Sequence, residues 1–140
     1  MNSKSSFFIS TLIFSFLSAT TINVPGTNNW TIQEGIDAAQ DGDIVLIAEG
    51  IYFENLTINK EITLTSTADF DALEGNEGWY NNTNIQNTII NGSVNNNPNK
   101  RSCLIIRDGD IQPTIKGLTF EGGVGTSMIL TNECISADTA

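Results

Sequence analysis

The stretch TIQEGIDAAQDGDIVLIAEGIYFEN, residues 31–55, changes its hydrophobic period halfway along, and that change decides the architecture. Thr31 and Glu34 stand at the spacing of a capping box: the threonine hydroxyl takes an orphan amide of the first turn and the glutamate reaches back. Ile32, Ile36 and Ala39 then fall at i, i+4 and i+7, one face of a short amphipathic helix. Asp41-Gly42-Asp43 stops that helix. The next five residues, Ile44-Val45-Leu46-Ile47-Ala48, are apolar without a break, as expected of a strand covered on both faces. Glu49-Gly50 turns the chain.

Toward the amino end, Thr21-Ile22-Asn23-Val24-Pro25 reads as a short strand ending at proline. Before it lie Lys4, an apolar run from Phe7 to Leu17 and the small residues Ser18-Ala19-Thr20-Thr21, the n-region, h-region and exit of a signal peptide. Residues 1–20 are therefore expected to be cleaved, between Ala19 and Ile22, leaving 21–140. The run is shorter than the roughly 20 apolar residues a spanning helix needs, so no membrane span is expected after cleavage. The expected location is extracellular or on the cell surface.

Toward the carboxyl end the chain reads as short strands and turns, so the helix at 32–39 is the single one expected. Leu56-Thr57-Ile58 and Ile62-Thr63-Leu64-Thr65 alternate apolar and hydroxyl residues. A polar insertion from Thr67 to Gln86 follows. Strands resume at Thr88-Ile89-Ile90, Cys103 to Ile106, Ile115 to Phe120 and Met128-Ile129-Leu130. Ile62-Thr63-Leu64, Thr88-Ile89-Ile90 and Thr114-Ile115-Lys116 sit about 26 residues apart, and Ser102 to Ile106 overlays Ser127 to Leu130 about 25 residues on. Short strands repeating at this length point to a solenoid, in which each coil buries its apolar face against the next. Asn23, Asn59, Asn91 and Asn132 lie at strand ends, where asparagine tolerates tight bends. The alternative, an antiparallel sandwich, wants hairpin turns, yet Asn91-Gly92 leads into a polar loop rather than a strand.

Composition excludes several functions. The 140 residues include 16 acidic, 6 basic and no histidine, for a net charge of −10. A nucleic-acid backbone is repelled, and His-dependent triads are absent. With only 16% charged residues and 39% hydrophobic, the chain lacks the profile of a disordered acidic tail. Cys103 and Cys134 are permitted a disulfide in an oxidising compartment, and two buried thiols fit equally well.

The insertion concentrates the candidate chemistry. Asp69, Asp71, Glu74 and Glu77 gather four carboxylates that could hold calcium, though without an EF-hand pattern, and a solvated acidic loop is the plainer reading. Trp79 and Tyr80 could stack on sugar rings or tuck the loop against the body. Asp108-Gly109-Asp110 reads as a turn rather than an acid–base pair. Arg107 and Lys116 read as strand residues with no carboxylate cluster beside them, so no catalytic residue is assigned. Glu54 reads as structural, its carboxylate capping backbone at the first coil. The sequons at Asn29, Asn55, Asn81 and Asn91 matter in a eukaryotic secretory host.

The segments 31–39, 42–47 and 50–55 resemble the amino-terminal cap and first coil of the pectin-lyase-like superfamily. There a helix of the form T-I-Q-x-A-I-D-A-A precedes G-D-x-V-x-V and G-x-Y-x-E-N. Gly35 departs from that pattern, where alanine is usual, at a helix cost of about 1 kcal/mol. Asn87 to Gly92 and Thr114 to Gly123 look like further coils. The resemblance implies an all-β, right-handed parallel β-helix with a short amino-terminal capping α-helix, incomplete at its carboxyl end. The open edge would be met by further coils of the same chain or by self-association. It does not specify activity: the superfamily holds pectate and pectin lyases, polygalacturonases, pectin methylesterases and surface proteins, with active residues on central coils. Without histidine the polygalacturonase pattern fails. The expectation is a secreted or cell-surface protein that binds or associates with polysaccharide, this segment being non-catalytic and needing no cofactor beyond the calcium considered above. The alternatives are the front of a pectin-active enzyme, methylesterase-like or lyase-like, and a structural adhesin spacer.

Overall fold

Parallel pairing begins with the first strand. A computed structural model describes residues 18–27, 31–70, 73, 75–95, 97, 100–107 and 109–126, without the side chains of 75–77. The leader at 1–17 and the strand expected at Met128 to Leu130 lie outside the described residues.

Strand β1 (Thr21–Val24) leads through helix α1 (Ile32–Ala38) to β2 (Ile44–Ile47), β3 (Gly50–Tyr52), β4 (Leu56–Ile58) and β5 (Thr63–Ser66). Two short helices, α2 (Gly75–Tyr80) and α3 (Thr83–Asn87), then precede β6 (Thr88–Asn91), β7 (Leu104–Ile106), β8 (Thr114–Lys116) and β9 (Thr119–Glu121). The strands form three sheets, ordered β1-β2-β5-β8, β3-β6-β9 and β4-β7. From β2 onward the chain visits these sheets in fixed rotation. Among the described residues every ladder is parallel, which removes the antiparallel sandwich. The structure is thus mostly parallel sheet with few helices.

The core lies between the sheets. Val45 and Ile47 on β2, Leu56 and Ile58 on β4, Leu64 on β5 and Ile90 on β6 are fully buried, with Ile32 and Ile36 of α1 closing one end. Each such side chain contributes about 1.5–3 kcal/mol relative to exposure. On β2 the other face, Ile44 and Leu46, is half-buried rather than covered.

Two expectations need correction. The spacing of about 26 is not one coil: Thr63 pairs with Thr114, while Thr88 to Ile90 belongs to another sheet and pairs with β3. Coil length is uneven because the insertion and the 92–103 segment both interrupt the second passage. Nor is the amino-terminal helix the single one, since α2 and α3 lie inside the insertion. They are too short to show a helical period, and α3 is started by Asn82, whose Oδ1 accepts from the Ile85 amide at 3.1 Å.

Helix α1 is tied to the first coil at both ends and along its side. The capping box forms: Thr31 Oγ1 accepts from the Glu34 amide at 3.1 Å, and Glu34 Oε2 from the Thr31 amide at 2.8 Å. Glu54 takes two more orphan donors, the amides of Ile32 and Gln33, each at 3.0 Å. At the other end Lys60 Nζ donates to the carbonyls of Ile36, Asp37 and Ala39 at 3.0, 2.6 and 2.7 Å, where the helix dipole favours a cation. Gln33 meets β4 as a second backbone would. Its Oε1 accepts from the Thr57 amide at 2.8 Å and its Nε2 donates to the Thr57 carbonyl at 3.2 Å. Gly35 now has its reason: a Cβ there would stand 2.7 Å from Val24 Cγ2 and 3.3 Å from Val45 Cγ1. The helix lies too close to β1 and β2 for alanine without a shift.

Candidate functional site

The insertion folds back against the outside of the sheets. Phe70 is its anchor. Its ring centroid lies 5.3 Å from that of Trp79, with the planes tilted by 43°, and Lys116 Nζ sits 4.5 Å from the Phe70 centroid. Such a cation–π contact contributes about 0.5–1 kcal/mol at an exposed site. Gly117, at φ +66°, leaves bare backbone beneath the ring: a Cβ would come within 2.5 Å of Phe70 Cζ and 2.8 Å of Ser66 Oγ. Helix α3 is held by polar contacts instead. Asn84 Nδ2 donates to Glu49 Oε1 at 2.6 Å and to Thr67 Oγ1 at 3.2 Å, Asn87 Nδ2 donates to Glu49 Oε2 at 3.2 Å, and Thr119 Oγ1 donates to the Ile85 carbonyl at 2.8 Å.

Two clefts flank this anchored insertion. One, of about 380 Å³, is lined among others by Ile44, Leu46, Thr65, Phe70 and Lys116. The other, of about 340 Å³, is lined by Trp79, Tyr80, Ile85, Gln86 and Thr119. Both lie at the low end of the size of ligand pockets, roughly 300–1,000 Å³. Trp79 is 42% and Tyr80 78% exposed, so the pair presents ring surface to solvent. Gln86 Nε2 donates to the Tyr80 carbonyl at 2.7 Å and ties α2 to α3. Among the described residues neither lining includes a carboxylate, and the aromatic, amide and hydroxyl groups present offer stacking and hydrogen bonding.

The other candidates fall partly outside the described residues. Asp69 is exposed on the insertion. Asp71 and Glu74 lie outside the described residues, as does the side chain of Glu77. Among the described residues no group of three or more acidic, cysteine or histidine side chains is placed to hold a metal ion. Cys103 Sγ donates to the Glu121 carbonyl at 3.1 Å, and Cys134 lies outside the described residues. Asp108 does too, while Gly109 at φ +51° and the exposed Asp110 form a bend. Arg107 falls just past β7 rather than within a strand, and Lys116 ends β8 in a different sheet. Glu54 caps backbone as expected. Sequence reading placed Lys116 in a strand but missed Phe70 and the contact between the two, because they are remote in the chain; the neighbouring Lys116-Gly117 was the available signal, a glycine closing a strand where something must approach.

No family model matches the chain, and no curated protein or solved structure does either.

Proposed function

We propose that the chain is the amino-terminal cap and first coils of a right-handed parallel β-helix, exported from the cell, that holds polysaccharide on the outside of its stack. The rotation of the strands through three parallel sheets supports the β-helix, together with the resemblance of 31–55 to capped members of the pectin-lyase-like superfamily. The apolar run at Phe7 to Leu17 supports export. Binding rests on one observation: two exposed aromatic rings, Trp79 and Tyr80, border a cleft whose other walls carry the amide of Gln86 and the hydroxyl of Thr119. A sugar offers an apolar C–H face to such rings and hydroxyls to such polar groups.

The test is titration of pectin, xylan and β-glucan oligosaccharides into the protein and its W79A/Y80A variant. A ligand bound by the wild type should lose at least about tenfold in affinity in the variant, equivalent to about 1.4 kcal/mol, with circular dichroism unchanged. Binding by neither protein, or equal binding by both, sinks the reading.

A further inference from the structure

An N-linked sugar needs the pattern Asn-x-Ser/Thr, an asparagine amide with a hydrogen to give up, and room for a pyranose ring beside it. The chain holds four such patterns, beginning at Asn29, Asn55, Asn81 and Asn91. Asn29 lies outside the described residues, and the other three differ in what surrounds the amide.

Asn55 has no hydrogen to spare. Its Nδ2 donates to the Gly92 carbonyl at 2.8 Å and to the Ser102 carbonyl at 2.9 Å, bridging two segments of the second passage, and its Oδ1 is buried. A sugar there would break one of these bonds and force the segments apart. Asn91 is hemmed in. Its Nδ2 donates to Glu121 Oε1 at 2.9 Å and its Oδ1 accepts from the Ser93 amide at 3.0 Å. The next coil presses on it so closely that a Cβ at Gly122 would stand 2.7 Å from Asn91 Oδ1 and 3.2 Å from its Cγ. Asn81 is the opposite case. It is exposed in the turn between α2 and α3, with the exposed Thr83 two residues on. Among the described residues its side chain carries none of the hydrogen bonds that hold the insertion, and the 78%-exposed Tyr80 stands directly before it.

We propose that Asn81 is an N-glycosylation site of the exported protein. The co-reactant is a polyprenyl-pyrophosphate-linked oligosaccharide. Asn81 Nδ2 attacks its anomeric carbon, the C–N bond forms as the C–O bond to pyrophosphate breaks, the amide proton passes to a base of the transferase, and the polyprenyl pyrophosphate leaves. The folded chain accommodates the product at Asn81 because nothing the fold depends on is lost there. The same product at Asn55 or Asn91 removes a contact between coils. This inference rests on export through a eukaryotic secretory pathway, and not on what the Trp79–Tyr80 cleft binds.

The experiment takes the protein from the medium or surface of the cells that make it, digests it, and releases N-glycans with a peptide N-glycosidase in heavy-oxygen water, which converts each glycosylated asparagine to a labelled aspartate. Label at residue 81, and none at 55 or 91, is the expected result, with N81Q and T83A each abolishing that label. Exported protein without label at 81, or with label at 55 or 91, overturns the inference while leaving export standing. Protein retained in the cell with its leader attached and no label overturns both.

Discussion

Asp43 closes the first turn of the sheet with its carboxylate. Its Oδ2 accepts from the Gln40 amide and its Oδ1 from the Thr20 amide, both at 2.8 Å. These backbone donors, Gln40 first and Thr20 second, hold the carboxyl below its ordinary value of 3.8 against the opposing effect of burial, with a smaller push from the charge of Lys60. A carboxyl whose folded value is depressed binds its proton more readily when the chain is unfolded. Its contribution is therefore complete above the ordinary value and is lost as pH falls through the folded one. The melting temperature of the wild type should drop as pH is lowered through and below 3.8, and D43N should show a shallower drop over that range; equal slopes for the two proteins would refute the assignment. Sequence showed Asp43 as part of a helix stop but not as this clasp, because Thr20 stands 23 positions away. The Thr31–Glu34 capping box was legible for the opposite reason, its partners being three residues apart.

Among the elements, α1 is the one whose existence was readable and whose attachment was not. Its period and cap are local, but Glu54, Lys60 and Gln33 act across the turn of a coil, where spacing carries no signal. At seven residues α1 is far too short to hold itself together in water, so its stability comes from packing and these ties. Lys60 supplies three carbonyl contacts at the end that otherwise has no basic residue in its last turn. Replacing it with methionine keeps the aliphatic stem and removes the donor. K60M should lower unfolding free energy by about 1–3 kcal/mol, read from urea denaturation with the m-value unchanged; a loss below the error of that measurement would show that the ammonium is dispensable. The insertion was legible, but its helices and its anchor were hidden for a related reason: both helices are too brief for a period, and Phe70 finds Lys116 and Gly117 only through the fold.

For the whole molecule, burial grades along the stack. Val45, Ile47, Leu56, Ile58 and Leu64 in the first passages are fully buried, whereas Ile106 is 47% and Phe120 40% exposed at the far end of the described residues. Where apolar contacts thin out, local opening costs less than global unfolding. Amide hydrogen exchange should be slowest on β2 and β5 and become faster through β8 and β9. Uniform protection across all four strands would mean that the described coils open as one unit. The sequence made the parallel, strand-rich character legible through its alternating short runs and the absence of hairpin turns. It did not show which strands are neighbours, because a parallel pairing depends on the length of everything between, and here the insertion makes successive coils unequal.

The double bond of Gln33 to Thr57 has a consequence for the company the protein keeps. An unpaired strand margin invites a strand from another molecule, the step from which fibrils grow. On β4 the donor and acceptor that a newcomer would need at Thr57 are already satisfied, by a side-chain amide that imitates a peptide group and cannot itself be extended. That margin of the sheet is closed to templated assembly by one residue of the helix laid across it.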